Sequence, residues 1–118
     1  MVQAVRGAIQ VEKDEPSFIE SGVQRMIEEV IKKNSLEYED LISIQFSITP
    51  DLQSKNPAAA LRIEGFSTIP LFCSAEPQCD GMLPRMIRTI VMFNTTTKID
   101  VTPVYLDGAE KLRPDLFE

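Results

Sequence analysis

No histidine occurs anywhere in the 118 residues, and cysteine occurs only twice. The first absence removes the usual general base of Ser-His and Cys-His nucleophilic pairs, together with the commonest imidazole metal ligand. Cys73 and Cys79 have five residues between them, which fits neither a CxxC redox pair nor four-ligand zinc spacing. Two free thiols and no metal are expected, and a disulfide between them is disfavoured in a reducing cytosol. Neither a GxGxxG fingerprint nor a Walker loop is present, which leaves dinucleotide and phosphoryl-transfer chemistry without its usual cradle. No apolar run approaches the roughly 18 residues of a membrane span. The opening MVQAVRGAIQVEKD lacks the basic-then-apolar pattern of a signal peptide, so a cytoplasmic protein is expected. Positive charge is also scarce: 12 basic residues stand against 18 acidic ones, for a net charge of -6. That balance argues against a nucleic-acid or anionic-membrane surface, although single arginines can still serve a site.

What is present suffices for one folding unit. Apolar residues make up 43% of the chain, and 118 residues fill a single domain, 1–118, with no internal linker or repeat. A chain this short buries only roughly 65% of the surface it exposes when unfolded, so assembly with other copies would add useful burial.

Residues 2–11, VQAVRGAIQV, are β-branched without helical period and predict a first strand with Arg6 in its middle. Asp14 is the expected N-cap of a helix opened by Glu15 and Pro16, in which Ile19, Val23, Met26, Ile27, Val30 and Ile31 follow a 3.6-residue period. That helix is expected to end at Asn34 in a left-handed cap, with Lys32 and Lys33 in its last turn. A second strand is predicted at 41–49, a short helix carrying Arg62 at 57–64, and a third strand at 68–74, where Pro70 implies an edge position. Fourth and fifth strands are predicted at 85–94 and 101–106, followed by a polar tail from about 107 whose Leu112, Leu116 and Phe117 need something to pack against. The sum is an α+β domain: a mixed five-stranded sheet covered on one face by one long and one short helix. Every strand reads as apolar on both parities, so the second face is expected to meet a partner subunit.

Arg88 is the most informative residue. An arginine in the apolar row Met86, Arg88, Ile90, Met92 is either paired with a carboxylate or poised to receive an anion, and both readings stay open at this level. Arg6 poses the same question beside the small Ala4 and Ala8. Taken singly, Glu76 reads as a surface glutamate, Tyr105 as a core residue with a satisfied hydroxyl, and Cys73 as a small buried hydrophobe. Taken together, arginines with one glutamate and one tyrosine can hold a small dicarboxylate and favour a reaction that needs charge stabilisation and orientation without a covalent intermediate.

Six segments in register give this pattern a family likeness: RGA at 6–8 with VE at 11–12, TPDL at 49–52, PAxAxR at 57–62, Cys73-x-x-Glu76, IR at 87–88, and VYL…LRPDL across 104–116. Over nearly its whole length the chain resembles the monofunctional AroH class of chorismate mutases. The resemblance implies an α+β subunit that assembles into a pseudo-α/β-barrel homotrimer with active sites in the clefts between subunits. It also implies a cofactor-free Claisen rearrangement of chorismate to prephenate in aromatic amino acid biosynthesis, driven by electrostatic stabilisation and restriction of the reactive conformer. By the same resemblance, Arg88 faces the ether oxygen of the breaking bond, Arg6 grips a substrate carboxylate, Tyr105 bonds the side-chain carboxylate, and Glu76 with Cys73 surrounds the ring hydroxyl. Arg62 is expected from the short helix of the adjacent subunit, with Leu112 and Arg113 of the tail closing over the mouth.

Some positions depart from the family pattern. Asn56 and Ala59, on either side of Ala58, stand where better-known members carry a phenylalanine and a lysine, and Phe72 stands where a small hydroxyl residue is common. Weaker substrate capture with retained chemistry is the expectation. Two competing readings are a trimeric protein that binds small carboxylates without transforming them, and an imine deaminase of the RidA kind.

Overall fold

The computed structural model describes residues 1–116. Elements run in the order β1 (Val2–Gln10), α1 (Pro16–Lys33), β2 (Leu41–Ile48), α2 (Pro57–Ile63), β3 (Leu71–Ala75), β4 (Met86–Asn94) and β5 (Val104–Leu106), with single 3-10 turns at Tyr38–Asp40, Ala109–Leu112 and Pro114–Leu116. The strands form one sheet in the order β3-β2-β4-β1-β5. The central β4 is antiparallel to both β1 and β2, whereas the outer strands β5 and β3 are parallel to their neighbours. The predicted mixed five-stranded α+β architecture is what forms.

Helix α1 lies across one face because its apolar residues recur at helical spacing. Ile19, Val23, Met26, Ile27 and Val30 are all fully enclosed against Val5, Ile9, Ile44, Phe46, Ile87, Val91 and Phe93 of the sheet. Each such aliphatic side chain contributes about 1.5–3 kcal/mol of burial before the cost of ordering it. At Gly7 the helix comes so close that a Cβ would meet Thr89 Cγ2 at 3.0 Å and Val30 Cγ2 at 3.1 Å. Glycine between Arg6 and Ala8 therefore lets α1 seat on β1.

Several local expectations are corrected. Glu15, in an extended conformation, is the N-cap of α1; Asp14 instead accepts from the backbone N–H of Gln53 (3.0 Å) and Ser54 (2.9 Å), tying the β2–α2 loop to the start of the helix. Asn34 ends α1 at φ -106°, and the left-handed residue is Ser35 at φ 51°. The Asn34 amide is occupied elsewhere: it donates to the carbonyls of Val30 and Thr102 and accepts from the Thr102 N–H. The third strand begins at Leu71 rather than 68, because Pro70 has no N–H to give and the residues before it turn; β3 is nonetheless an edge strand, as a proline there implies. Strand β5 is confined to three residues, not six. The tail is more than a polar extension: Ala109 is fully buried and Leu112 packs with Ala8, Met86 and Tyr105 in a small second cluster. Leu116 remains exposed, and Phe117 lies outside the described residues.

Candidate active site

Strand alternation places Arg88, Ile90 and Met92 on the sheet face opposite α1. Their register partners share that face: Ala8, Arg6 and Ala4 on β1, and Ser47, Gln45 and Ser43 on β2. No helix of the described residues covers it, so Ile90 keeps 42% of its exposure and Phe72, on the edge strand, 64%. On β2 this face is polar, not apolar as expected. Ser43, Gln45 and Ser47 share one parity of LISIQFSI, a pattern in the sequence that the reading of apolar residues on both parities passed over.

Register alone builds the site. Ser74 pairs with Ser47, Ser47 with Arg88, Arg88 with Ala8, and Ala8 with Tyr105, so a single row crosses all five strands with the guanidinium at its centre. The residues flanking Arg88 are the small Ser47 and Ala8, and the space they leave is a pocket of about 290 Å³. Arg6, Glu76, Tyr105, Leu112 and Arg113 complete its lining.

Glu76 follows the end of β3, where its N–H donates to the Ile48 carbonyl at 2.8 Å and extends the β2–β3 ladder by one residue. Its carboxylate is thereby aimed at β4. Oε1 accepts from the Ser47 hydroxyl at 2.7 Å and lies 2.9 Å from Nε of Arg88. The Glu76 side chain retains 11% of its exposure and Arg88 38%. The Nε–H bond is nevertheless not directed at that oxygen: Nε is buried and without a hydrogen-bond partner among the described residues. The pair is therefore a charge contact lacking an aligned hydrogen bond, and a buried donor left in that state costs about 1–3 kcal/mol until something accepts from it.

On the far side of the pocket the Arg113 guanidinium forms two bonds to Asp115, at 2.9 and 3.1 Å, and also interacts with the Tyr105 hydroxyl. Asp115, with the Tyr105 contact adding to it, holds the Arg113 guanidinium above its ordinary range, and Arg113 in turn holds the Asp115 carboxyl below its own.

A larger hollow of about 550 Å³ lies at the end of β1 beside α1, lined by Arg25, Arg85 and Asp107. Its cations are already committed: Arg25 grips Asp107 at 2.6 and 3.3 Å, and Arg85 Nε donates to the Val11 carbonyl at 2.9 Å. The smaller pocket, with a donor unengaged, is the better anion site.

Of the residues singled out from sequence, Arg6, Glu76, Arg88, Tyr105, Leu112 and Arg113 converge on this pocket. Cys73 does not line it. It alternates with Ser74 to the helix-covered face and packs against the core, where burial pushes its thiol pKa up and keeps it protonated at neutral pH. Asn56, Ala58, Ala59 and Arg62 lie on α2, in the helix layer, away from the protomer's own pocket. Asn56 is the N-cap of that helix, its side-chain oxygen accepting from the Ala58 N–H at 2.8 Å; Arg62 is exposed. Phe72 stands at the sheet edge beside the pocket. Ser47 and Ser74 are site residues that sequence reasoning missed, because a serine in a strand signals no chemistry until the register sets it beside an arginine; Ala8, singled out as a small neighbour of Arg6, does line the pocket with it.

What a cationic hollow flanked by one carboxylate can do is hold a small anion and stabilise negative charge that develops near the guanidinium. Known proteins carry the same arrangement of elements. The family described as chorismate mutase type I matches residues 2–116. The chain is 41% identical over 118 residues to the chorismate mutase AroH of Thermus thermophilus, covering 98% of this chain and 97% of the relative. It is 34% identical over 118 residues to that of Bacillus subtilis (strain 168), covering 98% and 93%. A solved chorismate mutase from Clostridium thermocellum superposes with a TM-score of 0.88 at 36% identity, covering 92% of this chain and 98% of that one.

Proposed function

Since the chain belongs to the chorismate mutase type I family, we propose that the pocket around Arg88 is where it rearranges chorismate to prephenate. The reaction is an isomerisation: the ether C–O bond breaks as a new C–C bond forms, and no proton, electron or group is exchanged with the protein. A site without histidine or a poised nucleophile is therefore sufficient.

In this reading Arg88 is the principal catalytic residue. Negative charge builds on the ether oxygen as the C–O bond lengthens, and a guanidinium already in place stabilises that charge more than it stabilises the ground state. The observation that carries the assignment is the Arg88 guanidinium, 38% exposed at the centre of the pocket with its Nε held against Glu76. Arg6 on β1 and the Arg113–Tyr105 group at β5 lie on the side of Arg88 away from Glu76, to take the two substrate carboxylates, and Glu76 takes the ring hydroxyl through the oxygen that Ser47 does not occupy. Holding both ends fixes the folded, reactive conformer, a contribution that reaches about 7 kcal/mol in well-oriented cases. Cys73, packed against the core, takes no part through its thiol.

The homotrimer belongs to the same proposal. Ile90, Met92 and Phe72 lie on a sheet face without a helix, and Arg62 points to service in a neighbouring subunit's cleft, since α2 lies in the layer opposite its own pocket. Residues 1–118 act as one catalytic domain, in the cytoplasm; no described helix is long and apolar enough to cross a membrane. The full-length likeness is to mutases, so the readings as a non-catalytic carboxylate binder and as an imine deaminase are set aside.

The test follows the loss of chorismate absorbance with purified protein beside Arg88→Ala. Rapid conversion by the parent and a loss of at least 10²–10³-fold in kcat by the variant, as expected for removal of a charge-stabilising donor, supports the assignment. A variant that keeps its kcat removes Arg88 from the chemistry.

A further inference from the structure

The Ser47 hydroxyl donates a hydrogen bond to the Glu76 carboxylate, at 2.7 Å to Oε1. The same oxygen is 2.9 Å from Arg88 Nε, whose N–H is not aimed at it. Ser47 and Arg88 are direct register partners on the open sheet face, and Glu76 is fixed from behind by its own backbone bond to Ile48. The two groups thus compete to orient one carboxylate, and of the two only the hydroxyl makes a directed bond to it.

This competition matters because an arginine beside a carboxylate has a strong alternative to binding substrate: it can close into an aligned, bidentate pair with that carboxylate. A closed pair would take up the donors that the ether oxygen and the side-chain carboxylate require. It would also remove Glu76 from the ring hydroxyl. Nothing else in the row would prevent it, since Ala8 on the other side of Arg88 has no donor or acceptor in its side chain.

We propose that Ser47 is a positioning residue which, by fixing the orientation of the Glu76 carboxylate, keeps its contact with Arg88 from closing into an aligned, bidentate pair and so leaves the guanidinium donors and the second Glu76 oxygen available to the substrate. It acts through Glu76 and does not itself contact the reacting atoms. The inference rests on the assignment of the site to this pocket, and the two can fail separately: Arg88→Ala tests the site, whereas Ser47 variants test the device.

The experiment compares kcat and KM for Ser47→Ala and Ser47→Thr, each alone and combined with Glu76→Gln, with thermal midpoints recorded for all. Ser47→Thr keeps the hydroxyl and suits a strand. The expected result is a drop in kcat of about tenfold or more for Ser47→Ala, the scale of a lost hydrogen bond to a charged group, with Ser47→Thr within about twofold of the parent. In the Glu76→Gln background, where no ion pair can close, Ser47→Ala should lower kcat by less than about twofold further. The proposal is overturned if Ser47→Ala leaves kcat unchanged, or if it lowers kcat by the same factor in both backgrounds. A loss in kcat that tracks a loss of thermal stability in Ser47→Ala and is shared by Ser47→Thr also overturns it, since that describes a purely structural serine.

Discussion

Ala8 stands directly opposite Arg88 in the β1–β4 ladder, and its methyl is the whole of what separates the guanidinium from Tyr105 along that row. Ala8 is 1% exposed and packs with Met86 and Ala109, so a larger side chain has nowhere to go but into the pocket. Ala8→Leu is expected to lower kcat/KM for chorismate by at least about tenfold while lowering stability by about 1–3 kcal/mol, the usual cost of overpacking. Steady-state kinetics beside a thermal melt checks both; unchanged kcat/KM would mean that the substrate does not sit over this row.

Capture is expected to be restored by Ala59→Lys. Position 59 is partly exposed on α2 and Arg62 lies three residues further on, so a lysine there would add a second cation to whatever cleft α2 serves. A charged contact at a partly exposed site is worth roughly 1 kcal/mol, so KM should fall about fivefold with kcat little changed. An unchanged KM would show that α2 does not border the substrate.

The open sheet face carries the assembly proposal. Met92 lies on that face at the end remote from the pocket, half-buried and in contact with Gln45. Met92→Glu should yield monomers by light scattering where the parent is trimeric, with activity lost on dilution. Trimers that persist would place the interface on other surfaces.

Asp14 gives the expected pH dependence. The Ser54 backbone N–H, with help from Gln53, holds its carboxyl below the ordinary value of 3.8. A carboxylate with a depressed folded pKa contributes stability that is present above the unfolded value and is lost as pH falls through the folded one. Asp14→Ala should therefore melt below the parent at pH 7, and the two melting temperatures should converge as pH falls below the ordinary carboxylate range. A gap that persists in acid would mean that the loop tie does not depend on the charge.

Much of this fold was legible because two periodicities were strong. The apolar stripe of α1 from Ile19 to Val30 predicted its buried face, and the alternation from Met86 to Phe93 separated the Ile87, Thr89, Val91 and Phe93 face, which the structure buries, from the Arg88 face, which it leaves open. The failures cluster where side-chain hydrogen bonds choose among local options. Asp14 suits an N-cap by type, yet two N–H groups forty residues away in sequence claim it, and no local pattern announces them. Asn34 suits a left-handed cap, yet its amide is taken by Thr102. The arginines and Glu76 were legible through their order along the chain. The serine that organises them was not, because Ser47 gains its role only from a strand register set by a tertiary pairing. Cys73 sits two residues before a strand's end, and the parity that turns it from the pocket follows from where β3 begins, the boundary that the proline displaced.

Strand β5 pairs only with β1, so the last strand of the chain is laid beside the first. Tyr105 therefore enters the row only after the other four strands have emerged, and long-range parallel pairing of this kind is slow to form. Every buried residue of the main core except Val104 precedes β5 in the chain, so that core can collapse without it. A nascent chain can thus become compact well before it becomes competent, and catalysis serves as a report that β5 has joined the sheet.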